Sequence, residues 1–203
     1  MRGTAIVLAA LAALVAWRVS RLPAEVAVAT EAAGADVRVI FHVHTTRSDG
    51  TGTPDEVAAA AREAGVDVVI LTDHGDGTRV PDPPRRVNGV LVIDAAEVST
   101  WAGHYVALGA RPSPYPLGGL PESDLKWRDW DTAFPAIEWL NADSEWRDRP
   151  GRLWDAVATY PWAPVPTITA LLDRPAFELR AWDRQAALRP VVGLAAHDAH
   201  ARI

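Results

Sequence analysis

Apolar residues come in short runs along this chain, and from Val37 onward most of those runs end in a histidine or a carboxylate. Val37–Val43 (VRVIFHV) alternates and is β-branched, which predicts a first strand. The alternation sends His42 and His44 to one side of it. A helix is announced next: Thr53 suits the N-cap, Pro54 the first helical position, and Glu56 closes a capping box. The run DEVAAAAREA follows and Gly65 stops it. Val66–Leu71 is a second strand running into Thr72, Asp73 and His74. Strand, capped helix, strand is a βαβ unit with its polar residues on one rim. Asn88–Ala96 reads as a third strand ending at Glu97, and Tyr105–Leu108 as a short fourth after His104. Phe134–Leu140 and Val191–Ala196 are further strands. Between them, Leu153–Tyr160 and Ile168–Arg184 read as helices separated by Pro161, Pro164 and Pro166. No internal repeat interrupts this order.

The beginning follows another rule. Thr4–Trp17 is uninterruptedly apolar, with Arg2 before it and Arg18 and Arg21 after. A membrane span wants ~20 apolar residues, and runs of ~10–14 are often signal-peptide cores. Ala27-Val28-Ala29 supplies an A-x-A site. The expectation is a signal peptide or membrane anchor over 1–21, in preference to a buried N-terminal helix, and a linker over 22–36. Arginines flank both ends, so cleavage stays open. The protein is then exported or membrane-anchored, outside the cytoplasm, and touches a membrane only through this segment. Residues 37–203 form one domain long enough for a real core. The net charge of −6 argues against a general grip on nucleic acid. It leaves an anionic small molecule possible as substrate, because bound cations reverse the local sign. With no cysteine in the chain, any metal is held by nitrogen and oxygen.

All six histidines fall in FHVHTTRSDG, ILTDHGD, WAGHYVALG and GLAAHDAH, and Asp49, Asp73, Glu97 and Asp198 sit among them. Imidazole is the commonest protein ligand for zinc-class ions, so the pattern reads as a multinuclear metal site at the mouth of an α/β barrel. Other readings exist for several positions. Asp49 suits a Ser-Asp-Gly turn, and Asp73 suits a partner that orients His74 better than a ligand. Arg47 and Arg79 are either salt-bridged surface groups or binders of an anionic substrate. Asp73 and Arg47 are the candidate catalytic residues beside the metal ligands, and His197 is a spare. Trp127, Trp130, Trp139, Trp146 and Trp154 crowd one stretch, as core packing or as an aromatic wall for substrate.

The order of these motifs, from HVHTTRSDG and ILTDHGDG through Glu97 and His104 to DAH, resembles the PHP (polymerase and histidinol phosphatase) family of metal-dependent phosphoesterases, over residues 37–203. Within it the chain is similar to carbaryl-hydrolase-like metallohydrolases, on HTTRSDGTGTP, TDHGDGTR, EVST, EWLNADSEWRD and DAHAR. The resemblance implies a distorted seven-stranded (β/α)7 barrel with up to three divalent ions, zinc, manganese or iron, at the strand ends. It implies that His42, His44, Glu97 and Asp198 hold one ion. Glu97 would bridge to a second ion on His104, and Asp49, His74 and His200 would hold a third. The family's further Ala-His-Pro histidine is absent: Gly109 runs to Phe134 without a histidine. The barrel is therefore expected to be incomplete, lacking one β/α unit between Gly119 and Ser123 and a closing helix after His200. The expected activity is hydrolysis of a phosphoester, or a related ester or carbamate, by metal-activated water. The alternative is a degraded module that binds metal or a partner with little turnover.

Overall fold

The computed structural model describes residues 2–23, 37–75, 79–100, 102–109, 127–147 and 150–201. They group into two compact units, one of Met1–Ala32 with Ala142–Pro175, the other of Ala33–Asn141 with Ala176–Ile203. In chain order the elements are α1 (Arg2–Val19), β1 (Val39–Val43), α2 (Pro54–Glu63), β2 (Val68–Leu71) and β3 (His74–Gly75). Then come β4 (Arg85–Val87), β5 (Val90–Asp94), β6 (Ala96–Thr100), β7 (Gly103–Ala107) and β8 (Ala136–Asn141). Last are α3 (Ala142–Arg147), α4 (Leu153–Thr159), α5 (Pro164–Leu171), α6 (Ala176–Ala186) and β9 (Val192–Ala196).

The larger unit is mixed α/β, and its strands fall into three open sheets: β1-β2-β5-β4, β3-β6-β7 and β8-β9. Hydrogen bonds between sheets show how they succeed one another. His44 N donates to Ala199 O at 2.9 Å, and His197 N to Phe41 O at 3.0 Å. These lay the end of β9 parallel beside β1. Ala95 N to Leu71 O (2.8 Å) and Glu97 N to Asp73 O (3.2 Å) carry the β2–β5 pairing on into β3–β6. The lateral order β8-β9-β1-β2-β5 is therefore parallel throughout, and all five carboxyl ends share one rim. The described strands do not close into a ring. The Ala-His-Pro gap, between Gly119 and Ser123, lies outside the described residues.

Local chemistry explains the elements. Thr53 accepts from Glu56 N while the Glu56 carboxylate accepts from Thr53 N, the full capping box, with Pro54 in the first turn. The helix it starts buries Ala58 and Ala61, small enough to let α2 lie close on the sheet, over Val43, Val69, Leu71, Val90 and Val92. Asn88 and Gly89 both have positive φ (50° and 90°) and join antiparallel β4 and β5. That is the two-residue turn Asn-Gly favours, matched to strand twist; β4 is an element beyond the expected set. The expected helix Ile168–Arg184 is two helices. Leu172 is extended (ψ 136°), and a residue ahead of Pro175 resists the helical region, so α5 ends there and α6 begins after it. Pro164, expected to separate helices, instead opens α5 at its first turn.

The smaller unit holds α1, α3, α4 and α5. Helix α1 is apolar along most of its exposed surface, Ile6, Leu8, Leu11 and Trp17 included, and Arg18 near its end pairs with Asp155 of α4. Among the described residues no helix is long and apolar enough to cross a membrane. Trp130 meets Phe134 and Phe177 edge-on in the larger unit, whereas Trp154 is an exposed residue of the smaller one.

Candidate metal centre

The rim of the parallel strands gathers most of the residues singled out above. His42 and His44 come off the end of β1, both almost fully buried. Glu97 lies at the start of β6, and its Oε2 stands 3.2 Å from His42 Nε2, 3.2 Å from His44 Nε2 and 3.4 Å from His74 Nδ1. Its other oxygen, Oε1, is 2.7 Å from His104 Nδ1. One carboxylate thus faces three imidazoles on one side and a fourth on the other. Asp198, just past β9, points Oδ1 at His44 Nε2 (3.2 Å) and His42 Nε2 (3.5 Å). Asp49 faces His44 Nδ1 and His200 Nε2, each at 3.3 Å, and His74 Nε2 at 3.8 Å.

Three sets of ligand atoms in this cluster are close enough to share an ion: His42, His44 and Asp198; His44, Asp49 and His200; His44, His74 and Glu97. His44 belongs to all of them. A neutral imidazole offers one lone pair, so His44 serves one ion at a time. His44 Nε2 and Asp198 Oδ1 are buried and, although 3.2 Å apart, neither has a hydrogen-bond partner. Orphaned polar atoms of this kind are costly without a partner, and a nitrogen and a carboxylate oxygen aimed at the same point fit a divalent cation. His104 enters no such set among the described residues; it is held by Glu97 and by Ser99 Oγ at 3.1 Å.

Electrostatics follow from this crowding. Burial alone lowers the His42 pKa, but hydrogen bonds to Glu138 and Glu97 overcome it and lift the imidazole to about 10. For His44, burial is outweighed by Asp198 and Glu97, which raise it to about 9 against the repulsion of His42. Burial would raise Glu97, yet hydrogen bonds with His104, His42 and His44 hold the carboxyl far below the usual range. Asp198 is likewise lowered, by His44, His42 and Asn141, against its burial. His74 goes the other way: burial pushes it down and the attraction of Glu97 does not make this up.

Asp73 has different partners from the one expected, and Arg47 is salt-bridged, one of its two expected readings. Asp73 is fully buried and accepts from Thr45 N (2.7 Å), Thr45 Oγ1 (2.8 Å) and Ser48 Oγ (2.8 Å). Lying between β2 and β3, Asp73 thus turns its carboxylate to the 45–48 loop, which it secures. Arg47 pairs with Asp82 and, at 3.4 Å, with Asp94, which Arg79 also binds. His197 is exposed and stands outside the three sets. Gly50 is required where the TTRSDG loop closes, since a Cβ there would lie 2.3 Å from His44 O. Two contributors went unnoticed in the sequence. Glu138 binds His42 Nδ1 at 2.9 and 3.1 Å, and Asn141 Nδ2 donates to Asp198 Oδ2 at 3.1 Å. Both lie in the EWLN stretch, and a carboxylate and an amide in an otherwise apolar strand were the available signal.

Residues 41–99 match the PHP domain family model. That stretch is similar to a PHP domain. The matched segment supplies His42, His44, Asp49, Asp73, His74 and Glu97, while His104, Glu138, Asp198 and His200 come from beyond it. No curated protein matches the chain. A solved structure of an amidohydrolase from Chromobacterium violaceum, with bound sulfate and no metal, is 28% identical to it. That likeness covers 38% of this chain and 29% of that one, with a TM-score of 0.28. The aligned part is under a third of that protein's length.

Proposed function

We propose that this chain is a metal-dependent hydrolase of the PHP kind, acting on a small anionic ester, foremost a phosphoester. A carboxylic ester or carbamate would suit the same chemistry and the carbaryl-hydrolase-like branch. The observation that carries the reading is the pair of orphaned, buried ligand atoms, His44 Nε2 and Asp198 Oδ1, set among further imidazoles and carboxylates at the carboxyl rim of parallel strands. Zinc, manganese or iron would each suit this nitrogen and oxygen set.

His42, His44 and Asp198 would hold one ion, with Glu97 Oε2 beside it. Asp49 and His200 would hold another, with His74 at hand. Glu97, Asp198, Asp49 and Glu138 bring four negative charges to the cluster, which two divalent ions would balance. When bound, such ions supply water that ionises near pH ~7 and polarise the ester oxygen. The protein's part is to fix the ligands, to keep the loop 45–50 closed through Asp73, and to keep water from the buried faces of His42 and His44. A second reading, a module that holds metal but turns over slowly, is favoured by His104: Glu97 is the one acidic group that reaches it among the described residues.

Metal analysis after loading with zinc, manganese or iron tests the proposal, followed by assays on aryl phosphate, aryl acetate and aryl carbamate. At least one ion per chain and metal-dependent turnover of one of these is expected. Failure to retain any ion would sink the proposal, and ions without turnover would select the second reading. We also propose that α1 acts as an export signal or anchor. Full-length protein, Met1 included, in a soluble cytosolic fraction would overturn that part.

A further inference from the structure

We infer that β8 is the positioning strand of the metal centre: Glu138 aims His42, and Asn141 aims Asp198, each through the atom turned away from the ion. The inference rests on the metal-holding reading above. His42 offers its two ring nitrogens to opposite sides. Nδ1 is held by both Glu138 oxygens at 2.9 and 3.1 Å, and Nε2 looks toward Glu97 (3.2 Å) and Asp198 (3.5 Å). A carboxylate that accepts from Nδ1–H fixes the tautomer, so that the Nε2 lone pair faces the ion. Asp198 shows the same division. Oδ2 accepts from Asn141 Nδ2 at 3.1 Å, and Oδ1 is left buried, without a hydrogen bond, facing His44 and His42.

The backbone gives a second, independent reason. His42 and Asp198 have φ of 68° and 50°, a region that non-glycine residues seldom occupy because it is strained for them. Such conformations persist only where the surroundings over-determine them, and the two contacts from β8 fall on these two residues. Glu138 and Asn141 are three apart, so a regular strand would turn them to opposite faces. The register of β8 against β9 shifts between Glu138 and Leu140. That bulge at Trp139 reverses the parity and brings both side chains to the site. A matching irregularity in β1, between Phe41 and Val43, falls on His42 itself.

The test is zinc binding to the full chain, by competition with a chromophoric chelator, alongside thermal melting of the metal-free protein. Relative to the parent, Glu138→Ala should weaken the tightest site ~10–100-fold while the number of ions at saturation stays the same. Glu138→Gln should recover most of that affinity, because its amide oxygen still accepts from Nδ1–H. Asn141→Ala should weaken binding in the same direction. If Glu138→Ala does not fold, Glu138→Gln and Glu138→Asp decide: the shortened carboxylate withdraws from Nδ1 and should bind zinc more weakly than the amide. Parent-like affinity in Glu138→Ala, or in Glu138→Asp where the alanine variant is unfolded, would overturn the inference. So would loss of one ion from the saturating count in Glu138→Gln, which would make Glu138 a ligand. If the parent itself binds no zinc, manganese or iron, the metal-holding reading falls first and this inference with it; normal parent binding with indifferent variants condemns the inference alone.

Discussion

Replacing Glu97 by glutamine keeps the shape of the side chain and removes the charge on which four histidines converge. In the metal-free protein His42 and His44 are lifted to about 10 and about 9, so both carry protons at pH 7. Their ring centroids are 5.2 Å apart, a distance at which two unit charges repel by about 3 kcal/mol at an effective dielectric of ~20. Glu97 offsets this by standing 3.2 Å from each Nε2. Exchanging two charge-assisted contacts for neutral ones costs ~1 kcal/mol apiece. Glu138 and Asp198 remain as partners, so the net loss should be about 2–4 kcal/mol, or roughly 5–15 °C in melting temperature. The sign with pH follows. Histidines with raised folded pKa values stabilise fully below their ordinary ~6.5, and the contribution is lost as pH climbs through 9 to 10. Glu97, lowered, contributes above its ordinary ~4.3 and is lost only in strong acid. The glutamine variant should therefore be most deficient between about pH 5 and 8, and its deficit should vanish or reverse above about pH 10, where an unpaired buried carboxylate is itself a liability. Melting by circular dichroism in chelator, at neutral and at strongly alkaline pH, reads this directly. An equal loss at both would show that Glu97 acts through packing alone, and the electrostatic account would fail.

His44→Ala should cost at least one ion, because every close ligand set among the described residues includes His44; full metal content in that variant would refute the arrangement. Asp73→Ala strands three donors around a fully buried site, a loss of about 3–6 kcal/mol. Asp73→Asn should lose less than half as much, and urea denaturation showing the two variants equal would refute the loop-securing role. Gly50→Ala should displace the 45–50 loop from His44 O and lower zinc affinity at least tenfold, since Asp49 moves with it; unchanged affinity would show that Asp49 is not a ligand.

Much of the βαβ half was legible because its signals are local. Thr53, Pro54 and Glu56 carry their helix start within one turn, and the β-branched runs before His42 and Asp73 carry their strands. The Asn88-Gly89 turn was equally local, yet taking it as the start of a strand left β4, the other arm of its hairpin, unassigned. Pro175 was passed over in the same way, and α5 ran into α6. Asp73 shows a deeper limit. Adjacency in sequence suggested His74 as its partner, whereas its hydrogen bonds go to Thr45 and Ser48, in a loop up to 28 residues upstream. Glu138 could not be matched to His42, 96 residues away, by any pattern in the chain, because a bulge at Trp139 sets the direction of both it and Asn141. The gathering of His42, His44, Glu97, His104, Asp198 and His200 was legible in outline. Their sharing of His44 was not, since it depends on which ring nitrogen faces which carboxylate.

The loop after β1 is sewn to the far end of the chain: Thr51 N donates to His200 O at 3.0 Å, and Thr51 Oγ1 to Ala201 O at 2.6 Å. The ligand sets join His42, His44 and Asp49 to residues some 150 positions later. During synthesis the early histidines leave the ribosome long before Asp198 and His200, and contacts of such separation close late. Until then they present only a weak, flexible pair of imidazoles to any ion. Affinity for divalent ions in such sites follows a common order, and the metal actually acquired depends on supply. The identity of any ion held there would then be settled by the metal pool of whichever compartment the chain occupies when Asp198 and His200 fold into place.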